Sequence, residues 1–392
     1  MKLLKRTWAD ISLDNLEHNY RTLRELVGKG PRFLGVVKAD AYGHGAVQVS
    51  RTLQALGAEY LAVSNLEEAV QLRNGGVELP VLILGYTPPE YAPDEAELHI
   101  TQEVHGLQYA KDLNKALEGT GRRLTVHLKI DTGMTRLGFF ADQPEATLAA
   151  LVEVSKLPNL YIEGVFMHFC VSDSKKPEDI AFTKLQHQRF VDMLALMKTK
   201  GIEPKIRHCC NSGATILHPE YAMDMIRPGV ATYGFHPSPD TVGEIDLRPM
   251  MSLHTSIAQI RTIAAGKSIS YGRTYTTPED KLVAVLPIGY ADGLSRLLSN
   301  RVSFRICGKE ARVLGRICMD MCMVDISDIP EAKVGTTATL FGYDEDGTLL
   351  PCERIADMLG TINYEIVCDV NKRVPRIYYK DGKQVGVLQY IV

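Results

Sequence analysis

Long apolar runs are missing from this chain of 392 residues. No segment approaches the roughly 20 consecutive apolar residues of a membrane-spanning helix. The first dozen residues mix Lys2, Lys5, Arg6 and Asp10 with apolar side chains and offer no apolar core of the kind a secretory leader requires. The expectation is a cytoplasmic protein without membrane contact. An excess of one charge is missing too: 44 basic side chains stand against 47 acidic ones, a formal net charge of -3. Electrostatic capture of nucleic acid is therefore not expected, and a small-molecule partner fits better. The eight cysteines form no CxxC pair and fall mostly in apolar stretches such as Glu365-Ile366-Val367-Cys368, so they read as buried free thiols rather than a disulfide or zinc framework. Low-complexity linkers and heptad repeats are absent as well.

What is present is an ordinary globular composition, 45% hydrophobic and 23% charged, on a chain long enough for two domains. From about residue 12 to 238, short β-rich runs alternate with amphipathic stretches. Phe33–Lys38, Tyr60–Ser64, Val81–Gly85, Leu98–Thr101, Leu124–Asp131, Ile162–His168, Ile206–Asn211 and Met225–Gly229 read as strands. Leu13–Val27, Ala46–Leu56, Leu66–Asn74 and Glu178–Lys200 place apolar residues at helical spacing. Eight such units predict an α/β fold, a (β/α)8 barrel of the TIM type, with its chemistry at the C-terminal ends of the strands. Residues 239–392 change to short runs broken by Gly, Pro and Asp: Ser256–Ile263, Leu282–Ile288, Arg301–Ile306, Met321–Ile326 and Thr337–Phe341, with turns at Ala265-Gly266 and Asp381-Gly382. They predict a mainly β C-terminal domain, to which a strand within residues 1–11 is added.

The first expected strand ends in Val36-Val37-Lys38-Ala39-Asp40-Ala41-Tyr42-Gly43-His44-Gly45. A lysine at the end of an apolar strand is partly desolvated, which favours the neutral amine and hence a Schiff base with an aldehyde cofactor. The competing reading is a lysine that snorkels at the barrel mouth.

This segment resembles the cofactor-lysine motif of the alanine racemase family. The likeness continues through His127 to Gly138 (HLKIDTGMTRLG), Met167-His168, Asn211-Ser212, Ile226 to Gly229, Ser270 to Thr274, Gly289 to Gly293, Gly315 to Asp320 and Thr361 to Glu365, nearly the whole chain in the family's order. The resemblance implies pyridoxal 5'-phosphate as cofactor, a homodimer with shared active sites, and interconversion of L- and D-alanine for the bacterial cell wall. Racemisation needs a proton donor or acceptor on each face of a planar carbon. By resemblance Lys38 serves one face and Tyr271, from the second subunit, the other, with His168 as the tyrosine's neighbour. Read without the family, Tyr271 is a turn aromatic and His168 a satisfied strand-end histidine.

Arg227 looks like the arginine that faces the cofactor's pyridine nitrogen. A guanidinium only donates, so that nitrogen stays unprotonated and the electron sink is weakened, which suits a racemase. An ion pair with Asp224 is the alternative. Tyr42, Asn211, Ser212, Gly229, Val230 and Tyr364 match the family's phosphate cradle, and Leu84 its ring neighbour. Lys129 and Arg136 flank the loop after the fifth strand. In many members the first is carbamylated and orients the second toward cofactor and substrate, whereas a solvated loop arginine is the plain reading of Arg136. Met319 and Cys318, with Asp320 behind them, are implied for the substrate carboxylate. Cys318 as a nucleophile lacks a base in its local motif. Tyr290 and Tyr364 resemble the pair that narrows the entrance, with Asp173, His208, Arg296 and Arg316 as an outer polar ring, and so favour alanine over serine or a larger substrate.

Two segments depart from the usual family pattern, Cys209-Cys210 and the polar stretch Asp369 to Lys372. Rival functions are a broader-specificity racemase, a barrel-fold amino-acid decarboxylase and a non-catalytic carrier of the same cofactor. Arg227 opposes the decarboxylase, which places an acid opposite the pyridine nitrogen, and the second domain with Tyr271 opposes the carrier.

Overall fold

A computed structural model describes residues 5–391. Met1–Leu4, part of the expected N-terminal strand, and Val392 lie outside the described residues. The chain divides into two compact units. One comprises Glu17–Ala41 and Ala46–Arg248, the other the residues up to Leu16, Tyr42–Gly45 and those from Pro249 onward.

In the first unit eight parallel strands follow one another around a barrel: Arg32–Val36, Tyr60–Val63, Val81–Ile83, Ile100–Val104, Leu124–Asp131, Leu160–Phe166, Ile206–His208 and Met225–Ile226. Met225 pairs with Arg32 and Ile226 with Phe33, which joins the last strand to the first. Between the seventh and eighth strands, Asp224 N donates to Arg207 O at 3.0 Å and Arg227 N to Cys210 O at 2.8 Å. Strands buried on both faces carry continuous apolar runs, as in the fully buried Tyr60–Val63. The intervening helices bury one stripe each. In Ala46–Leu56 it is Ala46, Val49, Ser50 and Leu53, and Leu66–Asn74 is capped by Asn65, whose side chain accepts from Glu68 N at 3.0 Å.

The strand ends differ from expectation, for a common reason. Lys38, Leu84, His168, Asn211 and Gly229 all lie past the ladder, because apolar character persists where the chain is still buried but already turning. The fourth strand runs Ile100–Val104 and not Leu98–Thr101, since Leu98 caps the helix Ala92–Glu97 and His99 takes a left-handed turn (φ 52°).

In the second unit Thr7–Ser12 pairs antiparallel with Met251–Ser256 and parallel with Arg376–Lys380, so the N-terminal strand belongs to the β unit. The expected run Ser256–Ile263 is two strands in two sheets. Ile257 N donates to Thr336 O and Ala258 N to Val285 O, and the chain passes there from the large sheet to a three-stranded one of Gln259–Ile263, Lys281–Leu286 and Cys322–Asp325. Two helices, Glu353–Leu359 and Asn363–Cys368, interrupt the β pattern. Cys209, Cys210, Cys322 and Cys352 are buried, but Cys307 and Cys368 are exposed, against the expectation of burial, because each lies at the end of its element.

Glu95, on the helix Ala92–Glu97, is fully buried, and neither carboxyl oxygen has a hydrogen-bond partner among the described residues. Burial pushes its pKa from 4.5 up to about 7. A carboxyl raised on folding supports stability fully only below its unfolded pKa and loses that support as pH climbs through the folded value. Glu95→Gln should therefore stabilise the protein by about 2–3 kcal/mol at pH 8 and by almost nothing near pH 4.5, measured by urea unfolding at both pH values. An equal effect at both would contradict a buried titrating carboxyl.

Candidate active site

At the C-terminal end of the first barrel strand the backbone turns left-handed over consecutive non-glycine residues: Ala39 (φ 52°), Asp40 (φ 54°), Ala41 (φ 53°) and on to Tyr42 (φ 51°). Each such residue costs about 1–2 kcal/mol, so the turn persists only where surroundings impose it. Here Ala41 N donates to Val37 O at 2.9 Å, Ala39 N to Glu68 Oε1 at 2.6 Å, and Asp40 Oδ1 accepts Ala46 N at 2.9 Å. The turn holds Lys38, half-buried, at the strand end.

The loop after the fifth strand is organised by Asp131. Its Oδ1 accepts Gly133 N at 2.8 Å and Thr135 N at 3.1 Å, and its Oδ2 accepts Arg136 N at 3.1 Å. Gly138 (φ 130°) folds the loop back so tightly that a Cβ there would lie 2.7 Å from Asp131 N. Arg136 is thereby presented to solvent, with no side-chain partner among the described residues. Lys129, on the same strand, packs its ammonium 5.1 Å from the Phe166 ring centre. Burial lowers its pKa to about 8, opposed by Glu103 and assisted by Arg136 and Arg227.

Arg227 follows the eighth strand and is 3% exposed. Its Nη1 donates to His208 Nδ1 at 2.9 Å and its Nη2 to Met167 O at 2.8 Å and Cys209 O at 3.2 Å, with His168 Nδ1 at 3.4 Å. It makes no ion pair among the described residues. Asp224 pairs instead with Arg207, Nε to Oδ2 at 2.7 Å, so that alternative reading of Arg227 is corrected. His208 is also corrected: it is fully buried and wedged between Arg227 and His127, not part of an outer ring. Burial, then Arg227, Lys129, Arg136 and Lys38, hold the His168 pKa well below its ordinary value. His168 therefore lies within electrostatic reach of all four cations, which gathers positive charge at one end of the barrel.

Asn211 caps the helix Ser212–Leu217, its Oδ1 accepting Ala214 N at 2.9 Å and Ser172 Oγ at 2.9 Å. Ser212 Oγ accepts Gly229 N at 2.9 Å and Ala231 N at 3.3 Å, so the Gly229 amide is already engaged. The Ser212 and Val230 amides donate to no acceptor among the described residues. Leu84, half-buried, follows the third strand, and Asp173 is half-buried.

The β unit carries the other group. Tyr271 stands between the paired strands Ser268–Ile269 and Tyr275–Thr276, 70% exposed, without a hydrogen bond among the described residues. Ser270 Oγ donates to Arg316 O at 2.5 Å and lies 3.5 Å from Cys318 Sγ. The thiol's other hydrogen-bond partner among the described residues is Arg316 O, so no base accompanies it. The turn bearing Tyr290 docks on the same loop: Tyr290 N donates to Cys318 O at 3.1 Å and Ala291 N to Met319 O at 3.0 Å. A Cβ at Gly289 would fall 2.3 Å from Cys318 O, so only glycine permits this approach. Fully buried Asp292 locks that turn through Arg6 (2.6 Å) and Arg373 (2.7 Å), and Arg373 also holds Asp320 at 2.8 Å. Tyr290, Met319 and Asp320 are exposed, Arg296 lies on a short turn, and Arg316 packs beside Gly272. Tyr42 is buried with its ring 6.1 Å from that of Tyr364.

Sequence models described as the N-terminal and C-terminal domains of alanine racemase match residues 11–237 and 250–378. The chain belongs to the alanine racemase family. An alanine racemase of Clostridium tetani is 41% identical over the full length of both chains, and one of Desulfovibrio desulfuricans 45% identical over 95% of this chain and 97% of its own. The solved structure of alanine racemase from Clostridium difficile 630 superposes with a TM-score of 0.94 at 38% identity, covering both chains completely. The barrel and the C-terminal β architecture are therefore those of the family. Among the described residues no helix is long and apolar enough to cross a membrane.

Reading by motif assigned no role to His127, Glu163 or Glu103. Their signal was a polar side chain inside an otherwise apolar strand, visible in Val126-His127-Leu128-Lys129-Ile130-Asp131, where His127, Lys129 and Asp131 alternate on one face. If Lys129 is desolvated as its surroundings dictate, reductive methylation with carbon-13 should give one lysine resonance with a midpoint near pH 8 that vanishes in Lys129→Met. A midpoint near 10 for that resonance would remove the electrostatic account of this strand.

Proposed function

We propose that the chain interconverts L-alanine and D-alanine with pyridoxal 5'-phosphate held by Lys38. The observation that carries the reading is a cavity lined by Lys129, Arg136 and His168, with Arg227 Nη2 3.4 Å from His168 Nδ1 and the charge of Lys38 also acting on that imidazole. Such a site fits a ligand bearing a phosphate and a carboxylate. The donor set fits the cofactor in detail. Arg227 Nε–H has no acceptor among the described residues and would face the ring nitrogen. The Ser212 and Val230 amides and the Ser212 hydroxyl would hold the phosphate, joined by Asn211, Gly229, Tyr42 and Tyr364. Gly229 contributes by shaping the loop rather than by its engaged amide. Leu84 would lie against the ring.

When bound, the cofactor supplies the electron sink that makes loss of an amino acid's α-hydrogen accessible near neutral pH. The chain's part is to hold and move protons. The Lys38 amine takes or gives the proton on one face, and the Tyr271 hydroxyl does so on the other. Burial keeps His168 neutral, so it can accept a hydrogen bond from that tyrosine. Arg227 donates without ever giving up its proton, and so limits charge delocalisation that would otherwise favour side reactions. Arg136 orients the substrate carboxylate, with the Cys318–Met319 backbone and Asp320 behind it. A carbamate on Lys129 would turn the repulsion between Lys129 and Arg136 into attraction, and an amine with a pKa of about 8 has the neutral fraction that carbamylation needs.

Tyr271 is proposed to act in the site of a second copy. Its exposed ring shares the β unit with exposed Tyr290, Leu297, Met319 and Met321, an apolar set suited to a homodimer contact. The barrel, within residues 12–238, would hold the cofactor and the β domain of 239–392 would complete a partner's site. The protein is proposed to work in the cytoplasm and to supply D-alanine for peptidoglycan. Tyr290 and Tyr364 narrow the entrance to a methyl side chain.

Purified protein should show a visible cofactor absorption that borohydride abolishes, and should exchange the α-hydrogen of alanine in heavy water. Tyr271→Phe should lower kcat in both directions by at least about a hundredfold with the cofactor absorption retained. Unchanged racemisation by this variant would sink the two-base assignment.

A further inference from the structure

A chain of hydrogen bonds leaves Arg227 in the direction away from Lys38 and crosses the barrel interior. Arg227 Nη1 lies 2.9 Å from His208 Nδ1, His208 Nε2 lies 2.8 Å from His127 Nδ1, and His127 Nε2 lies 3.3 Å from Glu163 Oε2. Glu163 Oε2 also accepts the Tyr60 hydroxyl at 2.8 Å, and that hydroxyl lies 2.8 Å from Thr101 Oγ1. An arginine can only donate, and this fact orients every link. His208 Nδ1 must accept, so its proton is on Nε2. His127 Nδ1 must then accept, so its proton is also on Nε2 and is delivered to a carboxylate.

Two backbone features accommodate this chain. The pairing of the fifth and sixth strands shifts register between Val126 and His127. Val126 faces Ile162 while His127 faces Gly164, which leaves Glu163 as the extra residue of a bulge. Bulges re-aim side chains, and they are rare between parallel strands. Next to it, a Cβ on Gly164 would lie 2.6 Å from the imidazole of His127, so glycine is what leaves room for the ring. Sealed strands with ordinary apolar residues would have made the barrel without either feature.

We propose that Glu163 is a positioning residue for racemisation, supplying through His127 and His208 the counter-charge and the fixed tautomers that hold Arg227 as a donor at the opposite end of the barrel. The inference rests on the functional reading above. Burial keeps both imidazoles neutral, with Arg227 adding to the effect at each. The hydrogen bond from His127 holds the Glu163 carboxyl below its ordinary range, opposed by partial burial. The relay therefore carries a cation at one end and an anion at the other, with two neutral rings between them. A carboxylate placed directly against Arg227 would compensate the charge equally well, but it would occupy the donors that the ring nitrogen needs.

The test uses the cofactor-loaded enzyme labelled with nitrogen-15 at histidine, alongside Glu163→Gln, which keeps an acceptor and deletes the charge, and Glu163→Leu, which deletes both. Long-range nitrogen-proton correlations, assigned with His127→Gln and His208→Gln, should show both rings protonated on Nε2 and neutral from roughly pH 6 to 9. In Glu163→Leu the His127 Nε2 proton should exchange with solvent at least about tenfold faster. In both variants kcat should fall about tenfold or more with the KM for alanine within about twofold, because the residues that contact substrate are untouched. A proton on Nδ1 of either ring, an imidazolium at pH 7, or kcat of Glu163→Gln within about twofold of the unsubstituted enzyme would overturn the proposal. If the unsubstituted enzyme does not racemise alanine, the functional reading fails, and the histidine tautomers still decide whether the relay exists.

Discussion

A guanidinium buried beneath the open end of a barrel cannot lose its proton to escape desolvation, as a lysine would. Everything around Arg227 answers to that constraint. Burial lowers its pKa only to about 10, so it remains a cation at neutral pH. The neighbours it meets are all acceptors: two backbone carbonyls and two imidazole nitrogens. His168 and His208 are kept neutral by the same charge and the same burial, which makes them useful as acceptors and useless as additional cations.

The barrel makes such an arrangement affordable because its strands are rigid and its loops are not part of the ladder. Lys38, Arg136 and Arg227 come from the ends of three different strands, and each is fixed by a separate local device. Lys38 stands on a left-handed turn braced by Glu68 and Asp40, Arg136 on a loop gathered by Asp131, and Arg227 on a segment tied to Cys210. The turn after Lys38 stores strain that no isolated peptide would accept. That strain is tolerated because Glu68 accepts the Ala39 amide inside the turn and Asp40 ties the turn to the Ala46 amide at the start of the next helix.

Much of this was legible in the sequence, and the parts that were not share a physical reason. The helices Leu13–Val27, Ala46–Leu56 and Leu66–Asn74 have the bounds that apolar periodicity implies, since a buried stripe ends where the helix does. Strand ends were misjudged wherever the chain stayed buried after leaving the ladder, because burial and pairing leave the same apolar signature. Motifs placed Lys38, Arg136, His168 and Arg227 at the barrel's C-terminal end and so named the chemistry. They misplaced His208, whose contacts in space, His127 and Arg227, lie 81 and 19 residues away in sequence. Contacts across a barrel interior join strands far apart in the chain, and no local pattern announces them.

Glu163 shows what that blindness conceals. In sequence it is one acid inside the strand Leu160–Phe166 and belongs to no motif. Its significance depends on a bulge that turns it, a glycine that makes room for its partner, and two histidines on other strands. Breaking a buried charge pair by removing one partner costs on the order of 3–5 kcal/mol, because the remaining charge is left without compensation. A pair bridged by two neutral rings spreads that compensation along the chain, so the charges remain coupled although they never touch. The cation can then be satisfied from behind while its forward face stays open, a division that direct contact with a carboxylate does not permit.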